Sequence, residues 1–419
     1  MLVLAGLAVS FLTVVLLINK RYNVGLALIL GAIILSVTAR VGVQPFFRWV
    51  WSTAIDPTTI DLVLITTLIF MLGTVLKETG ALERMLGALR GAFRDRRYLV
   101  ALIPSLIGLL SVPGGAVLSA PLINDLSDEL GMTAEKKAAT NMLFRHIWYP
   151  AYPLYLSIIV ASQLGGVSPY QLSLMGVGAV LVSAPLAFLI AVWPHKPWAE
   201  VVWEGVPGPT GWAALPTAGR SLAPIFLILI LTLGCNLYFP LALALGNILA
   251  LANYAGWADG FRNAWGRFLA TVRTGVQKGF SWRPALIIYG IMLFRSVLEN
   301  SGAVNILSDT LLGIGIPLVV LLGLLPLLVG FVTGLNFPTV AITIPFFHPL
   351  YPGEMWPSAL FMIFITSTVG YTISPLHLCL ILTREFFDAD LLRTYSYILP
   401  PVLATLVMGV LVALLTGLI

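Results

Sequence analysis

The sequence predicts an all-α polytopic membrane protein made of two inverted repeats. Each repeat is expected to hold five transmembrane spans, one re-entrant helical hairpin and one broken helix. Three observations carry this. First, 59% of the 419 residues are hydrophobic and only 10% are charged, with a mean hydropathy of +0.97. A soluble domain carries about 25% charged residues, so most of this chain is suited to lipid. Second, two apolar runs, 98–126 and 315–348, are interrupted at Ser111-Val112-Pro113-Gly114-Gly115 and at Thr333-Gly334-Leu335-Asn336-Phe337-Pro338. Proline removes a backbone donor and glycine relaxes φ, so each run reads as two half-helices around a break. Third, the halves keep a common register. Residues 70–82 align with 292–304 at an offset of 222, which also pairs Pro104 with Pro326, Gly108 with Gly330, Ser111 with Thr333, Tyr149 with Tyr371 and Pro153 with Pro375.

The spans follow in order. Apolar segments lie at 2–18, 24–40 and 61–79, then the first broken run, then 138–163 and 169–194. The second half gives 221–239, 240–258 and 284–300, the second broken run, then 358–384 and 394–418. Segments 41–60 and 259–283 are less apolar and read as loops or interfacial helices. The stretch 80–97 reads as a basic cytoplasmic loop. Leu2 to Ile18 lacks a basic leader and a small-residue cleavage site, so it reads as a retained helix.

Charge sets the orientation. If each broken run is a hairpin, each half crosses the membrane an odd number of times and the second half is upside down. With both termini outside, the cytoplasmic loops hold Lys20, Arg21, Arg84, Arg90, Arg94, Arg96, Arg97, Lys136, Lys137, Arg220, Arg262, Arg267 and further basic residues, while the outside holds Arg40 and Arg48. The repeat partner of 80–97, residues 302–314, contains no Lys or Arg.

Several function classes recede. Cys235 and Cys379 both lie in apolar segments, against a disulfide framework or a cysteine metal site. No HExxH, Walker or G-x-S-x-G pattern is present, so no catalytic residue is assigned. The net charge of +5 reports membrane orientation and not nucleic-acid binding.

The candidate site residues lie at the breaks. A half-helix begins after each hairpin tip, and its free N–H groups and positive dipole end favour an oxyanion. Ser111, Gly114 and Gly115 of the first tip, and Thr333, Asn336 and Thr339 of the second, are the candidates for binding a small anion. Arg145 and Arg295 are intramembrane cations suited to neutralise it, although Arg295 also has Glu299 one turn on. The broken helices supply Asn141, His146, Tyr149, Thr368, Tyr371, Ser374 and His377. Carbonyls freed by Pro153 and Pro375, with Ser and Thr oxygens, suit a sodium site, and the histidines suit a proton path. The possible Na+ position is near Ser111 and Thr333. No organic cofactor or firm metal site is expected.

The runs SVPGGAVLSAPLINDL and NMLFRHIWYPAYPLY, with GLNFPTVAITIPFF and GYTISPLHLCLILTREFF, resemble the permease family defined by domain of unknown function 401. That family resembles the wider ion-transporter superfamily of citrate, dicarboxylate, gluconate and arsenite carriers. The resemblance implies secondary transport of an anion coupled to Na+ or H+, elevator-like movement and a homodimer. Dicarboxylate carriers bear Ser-Asn-Thr signatures at the tips. Here only Asn336, and loosely Ser111 and Thr339, match in type, so dicarboxylate specificity is not carried over.

The expectation is a secondary active transporter of a small anion, such as an organic acid, in the cytoplasmic membrane. Repeat A covers 1–195, with scaffold spans 1–79 and a transport unit 98–194. A cytoplasmic linker covers 196–220. Repeat B covers 221–419, with scaffold spans 221–300 and a transport unit 315–418. A membrane-embedded enzyme using His146 and an anion channel are the alternatives.

Overall fold

A computed structural model describes residues 2–20, 22–93, 95–109, 115–194, 211–235, 237–253, 265–266, 268–273, 282–303, 306, 310, 317–351 and 353–418. Among these residues the structure is helical throughout and contains no strand. Five stretches, Pro57–Glu78, Pro169–Val192, Leu215–Thr232, Gly353–Phe387 and Leu391–Leu415, are long and apolar enough to cross a membrane, and further apolar helices are shorter. The chain is a multi-pass all-α membrane protein.

The first half runs α1 (Leu2–Asn19), α2 (Val24–Thr38), α3 (Val43–Ile55), α4 (Pro57–Glu78), α5 (Ala81–Ala92), α6 (Arg96–Leu109), α7 (Gly115–Glu129), α8 (Ala134–His146), α9 (Leu156–Gly165) and α10 (Pro169–Ala187). The second half runs α11 (Leu215–Leu229), α12 (Phe239–Asn253), α13 (Trp282–Asn300), α14 (Leu318–Thr333), α15 (Phe337–Phe347), α16 (Trp356–Ile373), α17 (Leu378–Phe387) and α18 (Leu391–Leu415). Both hairpins are present, α6–α7 and α14–α15, and both broken helices, α8–α9 and α16–α17. The second break follows Ile373, two residues before Pro375, where a missing N–H and ring clash end a helix; the first opens earlier, at His146, with Pro150 in a 3-10 turn and Pro153 between that turn and α9.

One element differs from the sequence reading and another narrows it. Residues 81–92, expected as part of a loop, form α5. Its Ala81, Leu82, Met85, Leu86 and Leu89 make a buried stripe at helical spacing, packed against α11. Residues 43–55, left open between loop and interfacial helix, form α3. Helix α11 begins at Leu215, inside the expected linker; residues 196–210 of that linker lie outside the described residues, as do most of 259–283.

The packing repeats under exchange of the halves. Helix α2 packs on α13 and α12 on α4; α6 packs on α8 and α14 on α16; α7 packs on α17 and α15 on α9. At the α2–α13 crossing, a side chain on Gly25 would collide with the Leu286 backbone. The equivalent crossing brings Asn247, in the register of Gly25, to donate to the Leu68 carbonyl at 3.1 Å. Small residues and a cross-helix hydrogen bond serve helix association where lipid tails give no hydrophobic drive. The same holds at the hairpins. A Cβ on Gly108 would meet the Arg145 carbonyl, and one on Gly330 would lie 2.7 Å from the Ser367 carbonyl. Arg145 and Ser367 are themselves 222 apart, so this contact recurs at the same register in both halves.

Candidate functional site

Arg145 lies in the last turn of α8 and is 5% exposed. The carbonyl end of α8 tolerates a cation there. Its guanidinium lies against the start of α7: a Cβ on Gly115 would stand 2.5 Å from Nη1 and 2.6 Å from Nη2. Its Nε and Nη1 have no hydrogen-bond partner, and the Cys379 thiol lies within hydrogen-bond reach of the group. None of the ion pairs among the described residues includes Arg145. A buried guanidinium therefore faces the positive end of a helix with no acid between them among the described residues. An anion placed there satisfies both.

The other end of α7 shows the contrast. Arg90 donates to the Leu122 carbonyl at 3.1 Å, Arg96 pairs with Glu129, and Lys137 contacts Asp128 at 2.5 Å and Asn124 at 3.2 Å. Cations at that end complement the carbonyls and are matched by acids.

Next to Arg145 the two broken helices meet. The His146 and His377 rings are 4.7 Å apart, His146 and Tyr149 5.0 Å, and Tyr371 and His377 4.0 Å. His146 Nδ1 lies 2.6 Å from the Met142 carbonyl oxygen, and its Nε2 lies 3.3 Å from the Tyr371 hydroxyl. Tyr155 stacks on Tyr149 at 3.7 Å and reaches Asn336 of the second tip. A cavity of about 20 Å³, enough for one water, is lined by His146, Thr368, Thr372 and Thr405 among others. Asn141 ties the layers, donating to Thr383 at 2.9 Å and to the Ala116 carbonyl at 3.4 Å; its Oδ1 is left over. Ser374 donates to the Phe331 carbonyl at 2.5 Å and holds the second break against α14.

The second tip is lined by oxygen. Gly334 turns the chain with φ +63 in the left-handed region, and a Cβ there would meet the backbone of Leu376 and His377. Pro338 stands in the first turn of α15, where a missing N–H is harmless. Thr339 donates to the Leu335 carbonyl at 2.6 Å, and the Thr333 and Thr339 hydroxyls are 3.3 Å apart. Asn336 donates to Thr368 at 3.0 Å, while its buried Oδ1 has no partner.

Most of the sequence candidates therefore converge: Gly115, Asn141, Arg145, His146, Tyr149, Thr333, Asn336, Thr339, Thr368, Tyr371, Ser374 and His377. Ser111 and Gly114 lie outside the described residues. Arg295 belongs to a different place, bonded to Glu299 at 2.8 Å and lining a cavity of about 280 Å³ with Ser52, Asp56 and Thr59 of the α3–α4 region. Sequence reasoning missed Cys379 and gave Tyr155, one of the polar residues of the first broken helix, no role. The available signals were Cys379's place two residues after His377 and the aromatic run from Trp148 to Tyr155.

Among solved structures, the chain is similar to the crystal structure of the YdaH transporter of Alcanivorax borkumensis. The TM-score is 0.62 at 17% identity, over 90% of this chain and 89% of that one, a likeness of fold alone. No curated protein matches the sequence. Residues 3–194 and 215–416 match the model of one family across both halves, leaving out only the region of the linker and the extreme ends. The chain thus belongs to the family described as "Protein of unknown function (DUF401)".

Proposed function

We propose that this protein is a secondary active transporter of a small anion, such as an organic acid, in the cytoplasmic membrane. The observation that carries the reading is Arg145: a buried guanidinium with two unpartnered nitrogens, set against the N-terminal end of α7. A fixed protein anion would be the structural answer to such a group. With none beside it among the described residues, a diffusible one completes it. The similarity in fold to the YdaH transporter is in keeping with this reading.

The second tip supports cation coupling. Thr333, Thr339 and the unpartnered Asn336 Oδ1 offer oxygen ligands of the kind a sodium ion takes. The His146–Tyr371–His377 cluster favours the second reading, proton coupling. The two halves lie inverted in this proposal, with both termini outside, as an ion-transporter-type carrier would have them. The hairpins, broken helices, α10 and α18 form the moving unit of an elevator, and α1–α4 with α11–α13 form the scaffold and the contact between two protomers.

Uptake of a panel of labelled organic anions into proteoliposomes tests this. Saturable accumulation driven by an imposed Na+ or H+ gradient is expected, with the effective gradient naming the ion. Passive flux alone replaces the carrier with a channel, and chemical conversion of the anion without uptake replaces it with an enzyme acting through His146. Either result ends the proposal.

A further inference from the structure

The geometry points to a second kind of ligand at the meeting of the broken helices: one thiophilic metal ion of the Zn2+ class, held by His146, His377 and Cys379. Each offers one ligand atom, and the three atoms lie within 4.8 Å of one another. Zinc bonds nitrogen at about 2.0–2.1 Å and sulfur at about 2.3 Å, so tetrahedral ligand atoms stand roughly 3.3–3.6 Å apart. The three atoms thus stand at most about 1.5 Å beyond that spacing.

The individual groups are prepared for it. The His146 Nδ1 contact with the Met142 carbonyl is that of a donor N–H, which leaves the Nε2 lone pair free for a metal. Its present neighbour is the Tyr371 hydroxyl at a long 3.3 Å. His377 is 1% exposed, and neither ring nitrogen makes a well-formed hydrogen bond. A buried imidazole in that state is a ligand in want of an ion. Cys379, in the first turn of α17, brings the soft sulfur that separates zinc from calcium or magnesium.

Arg145 is the opposing charge, since a guanidinium near Cys379 repels a dication. Binding releases the thiol proton to solvent, and the thiolate charge then offsets the guanidinium. Three protein ligands leave a fourth position for water or an anion. Because His146 closes α8 and Cys379 opens α17, the ion ties a broken helix of one half to that of the other. The inference stands apart from the transport reading, because metal binding needs no transported solute.

The test is a Co2+ titration of the purified full-length protein, followed by absorption. One equivalent per chain is expected, with a sulfur-to-cobalt charge-transfer band that Zn2+ abolishes by displacement. The band should survive Cys235→Ser, since Cys235 is exposed and remote in sequence from the cluster. It should vanish in Cys379→Ser and in His377→Ala. Absence of the band in the unaltered protein, or its persistence in Cys379→Ser, overturns the site. Should those variants fail to fold, Cys235→Ser alone suffices: Zn2+ should slow modification of Cys379 by a small methanethiosulfonate at least tenfold, and an unchanged rate overturns the site as well.

Discussion

At the first hairpin the start of α7 meets a guanidinium; at the second the start of α15 meets hydroxyl and amide oxygens. The backbones that hold these groups agree closely. Gly108 abuts the Arg145 main chain as Gly330 abuts that of Ser367, and each pair shares the 222-residue offset. Ser367 is buried with an unpartnered hydroxyl where the first half has its cation. The fold thus repeats the position and varies the charge. In the proposed reading one tip takes the anion and the other the coupling cation.

The largest expected effect is at Arg145. Truncating one partner of a buried, hydrogen-bonded charge pair costs about 2–5 kcal/mol, so Arg145→Gln should lower anion uptake by about 30-fold or more. The same change removes an unmatched buried charge, and the melting temperature without ligand should hold or rise. Retained uptake in the folded variant would erase the distinction between the tips. Gly115→Ala probes the same contact more gently. Its methyl would occupy the space of the guanidinium nitrogens, and weaker anion binding is expected with folding kept.

The shared backbone yields the next effect. Gly108→Ala and Gly330→Ala each force a methyl into a main-chain carbonyl that cannot rotate away. Overpacking of this kind costs about 1–3 kcal/mol, and the two losses should be similar, measured as thermal unfolding in one detergent. A large disparity would mean that the halves share their sequence register and not their packing.

At the second tip the expected change is in ion dependence. Asn336→Ala removes the unpartnered Oδ1 and the bond to Thr368. About 1.4 kcal/mol of ion binding lost would raise the Na+ concentration for half-maximal uptake about tenfold. Anion uptake at saturating Na+ should change little. An equal loss at every Na+ concentration, with the H+ gradient still effective, moves the coupling to the histidines.

Much of this architecture was legible because its signals are local. Pro113, Gly114, Pro153, Pro338 and Pro375 interrupt apolar runs that a helix would otherwise span, and Arg145 is conspicuous as a charge inside such a run. The position of Cys379 beside Arg145 was not legible, because it depends on α8 and α17 meeting across the two halves, a contact between residues 234 apart. Helix α5 was obscured for a different reason. Glu83, Arg84 and Arg90 lower its hydropathy below that of a span, while its apolar stripe is visible only at a period of about 3.6 residues.

The smallest expected effect concerns Arg295, the cation that local sequence made equal to Arg145. Its partner is Glu299 on the same helix, at 2.8 Å, with side chains 22% and 41% exposed. An i,i+4 pair of that kind contributes about 0.3–0.5 kcal/mol. Arg295→Gln should therefore leave uptake within about twofold of the unaltered protein, and the double variant with Glu299→Gln should differ little from either single change. The cavity it lines with Asp56 and Thr59 lies on the α3–α4 side and not at the hairpin tips. A loss comparable to that of Arg145→Gln would require an anion path through this cavity as well, because a pair already satisfied by its own helix has no other reason to govern transport.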